Sequence, residues 1–130
     1  MRARRVFSIL LAIFLIGLIG CRGTDIRRDE ISCKAASNIS ASAASNGKIT
    51  IAWDINTEDK LAGYQLYYGE SSRKYTNCVD IGRPTESSPG VIKYTLIDLK
   101  KGYRYFIAVI AYDKNNNKSI FSSEVISIVE

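Results

Sequence analysis

The sequence predicts an all-β domain, a seven-stranded antiparallel β-sandwich, and three observations carry that reading. From Ser37 onward the chain breaks into short stretches of alternating apolar and polar residues, the period of a strand with one buried face. Clusters of Gly, Pro, Asn, Asp and Ser divide these stretches at even spacing. Nowhere after Ser37 do apolar residues recur with the period of an amphipathic helix.

Asn38–Ala43, built of small residues, is the first expected strand. Asn46-Gly47 follows, and both residues tolerate the positive φ of a type I′ hairpin turn. Lys48–Asp54 is the second strand, with Ile49, Ile51 and Trp53 on one face. A polar loop runs from Ile55 to Ala62. Gly63–Gly69 is the third strand, with Tyr64, Leu66 and Tyr68 on one face and Gln65 and Tyr67 on the other. Tyr75–Ile81 is the fourth. The segment from Gly82 to Gly90 carries Pro84 and Pro89 and reads as a loop. Val91–Leu96 is the fifth strand. Tyr103–Asp113 is the sixth, where Tyr105, Ile107, Val109 and Ala111 alternate with Phe106, Ala108, Ile110 and Tyr112. A turn over Asp113–Lys118 leads to the seventh, Ile120–Val129.

Three of these pieces, in order, resemble the fibronectin type III domain, an immunoglobulin-like sandwich. Ile49-Thr50-Ile51-Ala52-Trp53-Asp54 is similar to that family's second strand, whose tryptophan fills the core. Gly63-Tyr64-Gln65-Leu66-Tyr67-Tyr68-Gly69 is similar to its third. In the run Leu99 to Val109, Leu99 and Tyr105 match the leucine and tyrosine of the family's corner, with Lys101 in place of the usual proline. The resemblance implies that the Tyr105 hydroxyl bonds back to upstream backbone. Ser119–Val125 matches the last strand loosely. The bacterial variety of this domain is common in exported proteins as a spacer or binding module, so the resemblance implies a scaffold and leaves function to the surface.

The N-terminus has a different character. Arg2, Arg4 and Arg5 precede Val6–Gly20, 15 residues without a charge, which is the length of a signal-peptide apolar region and short for a bilayer span. Leu18-Ile19-Gly20-Cys21 resembles the lipobox of bacterial lipoproteins. That resemblance implies cleavage before Cys21 and lipidation of its sulfur, and several acyl chains on one residue hold a protein stably on a membrane. Lipoproteins kept at the inner membrane of many Gram-negative bacteria carry Asp after the lipidated cysteine. Arg22 stands there, which points to the outer membrane. The expected organisation is a signal peptide over 1–20, a mixed-charge tether over 21–35 and the sandwich over 36–130, lipid-anchored in a bacterial cell envelope.

Loss of the signal removes three arginines, leaving 15 basic against 13 acidic residues and a net charge of about +2. That small, scattered excess gives no basis for a nucleic-acid partner. Cys33 and Cys78 leave two readings open in an oxidising compartment: a disulfide, or two separate thiols. The chain has no histidine, no Gly-x-Ser-x-Gly and no phosphate loop, so the expectation is a non-catalytic protein without a cofactor or metal. Asp113, Asn115, Asn117 and Glu124 fall near the spacing of a calcium loop, but Lys118 occupies its glycine position, and an Asn-rich turn explains them equally well. Tyr67, Phe106, Ile110 and Tyr112 fall together on the outward face of neighbouring strands. The expected patch would dock an envelope or extracellular protein, or stack sugar rings. Ordinary cross-strand stabilisation by exposed aromatic residues is the simpler account of it.

Overall fold

The computed structural model describes residues 33–130. The expected signal peptide (1–20), the lipobox Leu18-Ile19-Gly20, Cys21 and most of the tether lie outside the described residues. Seven strands follow in order: β1 (Ser37–Ala44), β2 (Lys48–Asp54), β3 (Leu61–Gly69), β4 (Asn77–Gly82), β5 (Val91–Leu96), β6 (Arg104–Asp113) and β7 (Val125–Ile128). They form two antiparallel sheets, β1-β2-β5 and β4-β3-β6-β7. This is the sandwich that the alternation predicts.

The core is what the inward faces supply. Ile49, Ile51 and Trp53 of β2 and Ile92 of β5 meet Tyr64 and Leu66 of β3 and Ile107 and Val109 of β6, all of them fully buried. Trp53 and Tyr64 join the two sheets edge to face, with ring centroids 5.3 Å apart. Trp53 Nε1–H makes no well-formed hydrogen bond. It nevertheless lies close enough to the Tyr64 hydroxyl to help offset the upward pull of burial on that group's pKa, as does the Asn56 amide.

Two turns lock the connections. Asn46 and Gly47 both have positive φ, 65° and 72°, as the hairpin requires. Gly47 O accepts a bond from Leu99 N–H at 2.9 Å, and a Cβ on Gly47 would lie 2.7 Å from Leu99 O. The first hairpin is thereby pressed against the loop between β5 and β6. In that loop the Lys100 N–H donates to the Tyr105 hydroxyl at 3.1 Å, so the corner that the resemblance implied is present without its proline.

Cys33 and Lys34, expected in the tether, belong to the folded body. Cys33 is 1% exposed and joins the core cluster. Lys34 N–H donates to Glu58 Oε2 at 2.6 Å, and Lys34 C=O accepts from Asn56 Nδ2 at 2.7 Å. Asn56 also holds the Tyr64 hydroxyl and donates from Nδ2 to Glu58 Oε1 at 3.1 Å, so the two loop residues together clamp the entering chain. The disulfide reading fails for the pair Cys33–Cys78. Cys33 packs inside, near Tyr64. Cys78 sits on edge strand β4 in register with Tyr67, on the outward face, so the sheet lies between the two residues.

The largest departure from the sequence reading is the last strand, which begins at Val125 rather than Ile120. Before it, Ser119 and Ser122 take over the edge of β6. Their hydroxyls accept from Ala111 N–H at 3.0 Å and Val109 N–H at 2.9 Å. Their own N–H groups donate to Ala111 O at 2.8 Å and Val109 O at 2.9 Å. Three residues here span what two span on β6, so strand alternation breaks between Ser119 and Val125.

Replacing Tyr105 by Phe removes the hydroxyl and strands a loop N–H. Urea denaturation should show a loss of about 1–2 kcal/mol, and no measurable loss would mean that the corner bond contributes nothing.

Candidate functional site

The outward face of β3 and β6 is arranged as expected but not open. Tyr67, Gln65, Ala108 and Ile110 point away from the core and are nonetheless buried; Tyr67 is 5% exposed and Ile110 3%. Phe106 and Tyr112 are half-buried. As an exposed docking patch, the set Tyr67, Phe106, Ile110 and Tyr112 is therefore corrected. The reason at Tyr67 lies in two segments outside the strands that fold over it.

The first is the loop over residues 70–76. Gly69 has no side chain on the outward face, and a Cβ there would lie 2.6 Å from Lys74 O and 3.2 Å from Tyr75 Cα. The loop thus returns directly across Gly69, closed by a Lys74 N–H to Ser71 O bond of 3.2 Å. It carries Tyr75 onto Tyr67, ring centroids 6.2 Å apart, which is why β4 starts at Asn77 rather than Tyr75. The second segment is Ser119–Ser123, whose broken alternation turns Phe121 onto the same place. Phe121 stands edge-on to Tyr67 at 5.1 Å and tilted to Tyr75 at 5.4 Å.

Glu124 ties the two segments together. Its carboxylate accepts from Ser72 Oγ at 2.7 Å, Arg73 N–H at 2.9 Å and the Tyr75 hydroxyl at 2.5 Å. Burial raises the Glu124 pKa, but these bonds and the Arg73 charge outweigh it and hold the carboxyl below its ordinary range. Burial and the bond to Glu124 push the Tyr75 hydroxyl well up. Arg73 adopts a left-handed φ of 58°, which presents its N–H to the carboxylate. A cleft of about 670 Å³ opens here, lined by Tyr67, Arg73, Tyr75, Phe121, Ser123 and Glu124 among others.

The exposed apolar surface lies beside this cleft rather than over β3. Ile126 is 54% exposed, Ile128 49% and Phe121 40%. Ile126 is in register with Phe106 on the outward face, and β7 is an edge strand of its sheet. Tyr112, at the other end of β6, instead donates to Asp80 Oδ1 at 2.9 Å. Burial and that carboxylate raise its pKa to about 12. Its hydroxyl occupies the notch left by Gly63, where a Cβ would come within 2.7 Å.

The calcium-loop residues do not converge. Asp113 accepts from the N–H groups of Asn115 and Asn117 at 2.9 and 2.8 Å and shapes the turn, with Asn116 left-handed at φ 65°. Glu124 is engaged with the 70–76 loop. Among the described residues, no three His, Cys, Asp or Glu side chains group so as to hold a metal ion.

Sheet order, Trp core and tyrosine corner define an immunoglobulin-like β-sandwich. The fibronectin type III domain model matches residues 34–128, and the chain belongs to that family. The crystal structure of chicken CNTN1 FN1–FN3 domains superposes with a TM-score of 0.64 at 22% identity, covering 75% of this chain and 32% of that one. This chain thus spans about a third of that fragment's length. A structure titled "Myokine structure" superposes with a TM-score of 0.54 at 18% identity, covering 75% of this chain and 97% of that one. At these identities the likeness shows the fold. No curated protein matches the sequence. Domains of this family typically serve as protein-interaction modules and are generally non-catalytic.

Because the folded-state pKa of Glu124 is depressed, ionised Glu124 stabilises the fold above its ordinary value of 4.5, and that contribution disappears as pH falls through the folded-state value. The stability gap between wild type and Glu124→Gln should therefore be widest near neutrality and narrow in acid. A gap constant with pH would contradict the arrangement.

Proposed function

We propose that this chain is a lipid-anchored, non-catalytic module of a bacterial cell envelope, held on the membrane through Cys21, whose work is contact with another envelope or extracellular protein. The observation that carries the contact reading is β7. It is a sheet edge whose outward residues Ile126 and Ile128 are about half exposed, with Ile126 beside Phe106. Edge strands offer backbone donors and acceptors for strand addition, and alternate side chains then select the partner. The anchor reading rests on the spacing of Arg2, Arg4 and Arg5, the uncharged run and Leu18-Ile19-Gly20-Cys21. An outer-membrane location follows from Arg22 if the cell is Gram-negative.

Placement supports the reading. Lys34, where the chain enters, is held by the 55–60 loop, and Leu61 of β3 pairs with Asp113 of β6 at the same end. The 70–76 loop lies at the opposite end of β3 and β6, where Gly69 pairs with Phe106. A tether attached at Lys34 would therefore enter at the end of β3 and β6 away from the 70–76 loop.

Two experiments test the parts separately. Cells fed labelled palmitate should label the wild type and not Cys21→Ser; label persisting in the variant would end the anchor reading. A photo-crosslinking residue at Ile126 or Ile128 in intact cells should capture one protein, while the same residue at Lys93, on the other sheet, should not. Equal capture from both sheets, or none from β7, would remove the edge from consideration.

A further inference from the structure

We infer that the cleft formed by Tyr75, Phe121 and Glu124 is a binding site for a pyranose ring of a neutral glycan. Three features of the cleft lead there. Its walls are aromatic: Phe121, 40% exposed, and Tyr75 meet at an interplanar angle of 51° over the more deeply set Tyr67. Such faces are electron-rich and attract the weakly positive C–H groups on the apolar side of a sugar ring.

Its rim is polar in the way vicinal hydroxyls require. A carboxylate has about four acceptor positions, and Glu124 has three donors, two of them on Oε2. One position on Oε1 remains for a sugar hydroxyl. The bonds from Ser72, Arg73 and Tyr75 fix the carboxylate in advance, so little ordering cost falls on binding. Ser123 is exposed on the same rim.

Its charges balance. Arg73 also lines the cleft, and its positive charge offsets the negative charge of Glu124. A net-neutral rim gives no preference to an amine or an acid, which separates this site from an aromatic cage for cationic groups. The three rings also touch one another at 5.1 to 6.2 Å, so they form a corner against which a ring can lie and leave no box to enclose an ammonium. The volume, about 670 Å³, is within the range of small-ligand sites.

The inference is independent of the protein-contact reading of β7, and its test is separate. The full chain, solubilised in detergent, would be titrated by saturation-transfer NMR with maltose, cellobiose, lactose and diacetylchitobiose. A uronic-acid disaccharide and a glucosamine disaccharide serve as charged counterparts. At least one neutral disaccharide should bind with a dissociation constant of about 1 mM or tighter, and more tightly than either charged one. Phe121→Ala should weaken it about fivefold to tenfold, the loss of one stacking contact. Phe121→Tyr should retain it. Glu124→Gln, which keeps the side-chain shape, should weaken it about fivefold or more; this variant decides the matter should Phe121→Ala fold poorly. Absence of binding by every neutral sugar, tighter binding of a charged one, or binding unchanged in Glu124→Gln would overturn the inference.

Discussion

The edge-to-face contact between Trp53 and Tyr64 is the constraint on which the rest of the molecule hangs. One ring comes from each sheet, and together they fill the middle of the sandwich. Aromatic side chains each remove some 150–250 Å² from water on burial, so this pair supplies several kcal/mol of the driving force. The contact also fixes register. Shifting β2 or β3 by one residue would turn Trp53 or Tyr64 to the outside, so the ladder β1-β2-β5 and the ladder β4-β3-β6-β7 have a single way to face each other. From there the order spreads outward, because the Tyr64 hydroxyl grips Asn56, and Asn56 with Glu58 grips Lys34.

The fold was legible wherever alternation holds. β2 and β5 have the expected bounds, since Ile49, Ile51 and Trp53 on one and Ile92 and Leu96 on the other signal a single buried face. Asn46-Gly47 announced its own turn. Legibility stopped where backbone groups are satisfied by side chains instead of by a neighbouring strand. Ser119 and Ser122 each provide β6 with both an acceptor and a donor, something no periodicity can reveal. Their spacing of three residues is the one local hint.

The candidate site was half legible for a related reason. The alternation of β3 and β6 correctly set Tyr67, Ile110, Phe106 and Tyr112 on the outward side. It could not tell that Tyr75 and Phe121 would lie on Tyr67, because it put both inside strands, Tyr75–Ile81 and Ile120–Val129, whereas β4 starts at Asn77 and β7 at Val125. Gly69 was the available clue. A glycine at an outward strand position marks a place where another backbone passes close by, and here residues 74–76 do so. Glu124 was singled out for its position relative to Asp113, whereas its partners are Ser72, Arg73 and Tyr75, some 50 residues earlier in the chain.

The grip on Lys34 has a mechanical side. Both main-chain groups of that residue are held by side chains of a loop that follows β2, ahead of the first rung of β1 at Ser37. Tension arriving along the chain from the N-terminal direction meets the buried Cys33 and, at the next residue, Asn56 and Glu58. It is then shared with Tyr64 in the interior before it can peel β1 from its neighbour. Placed there, two loop residues act as a strain relief between a pulled cord and the body it holds.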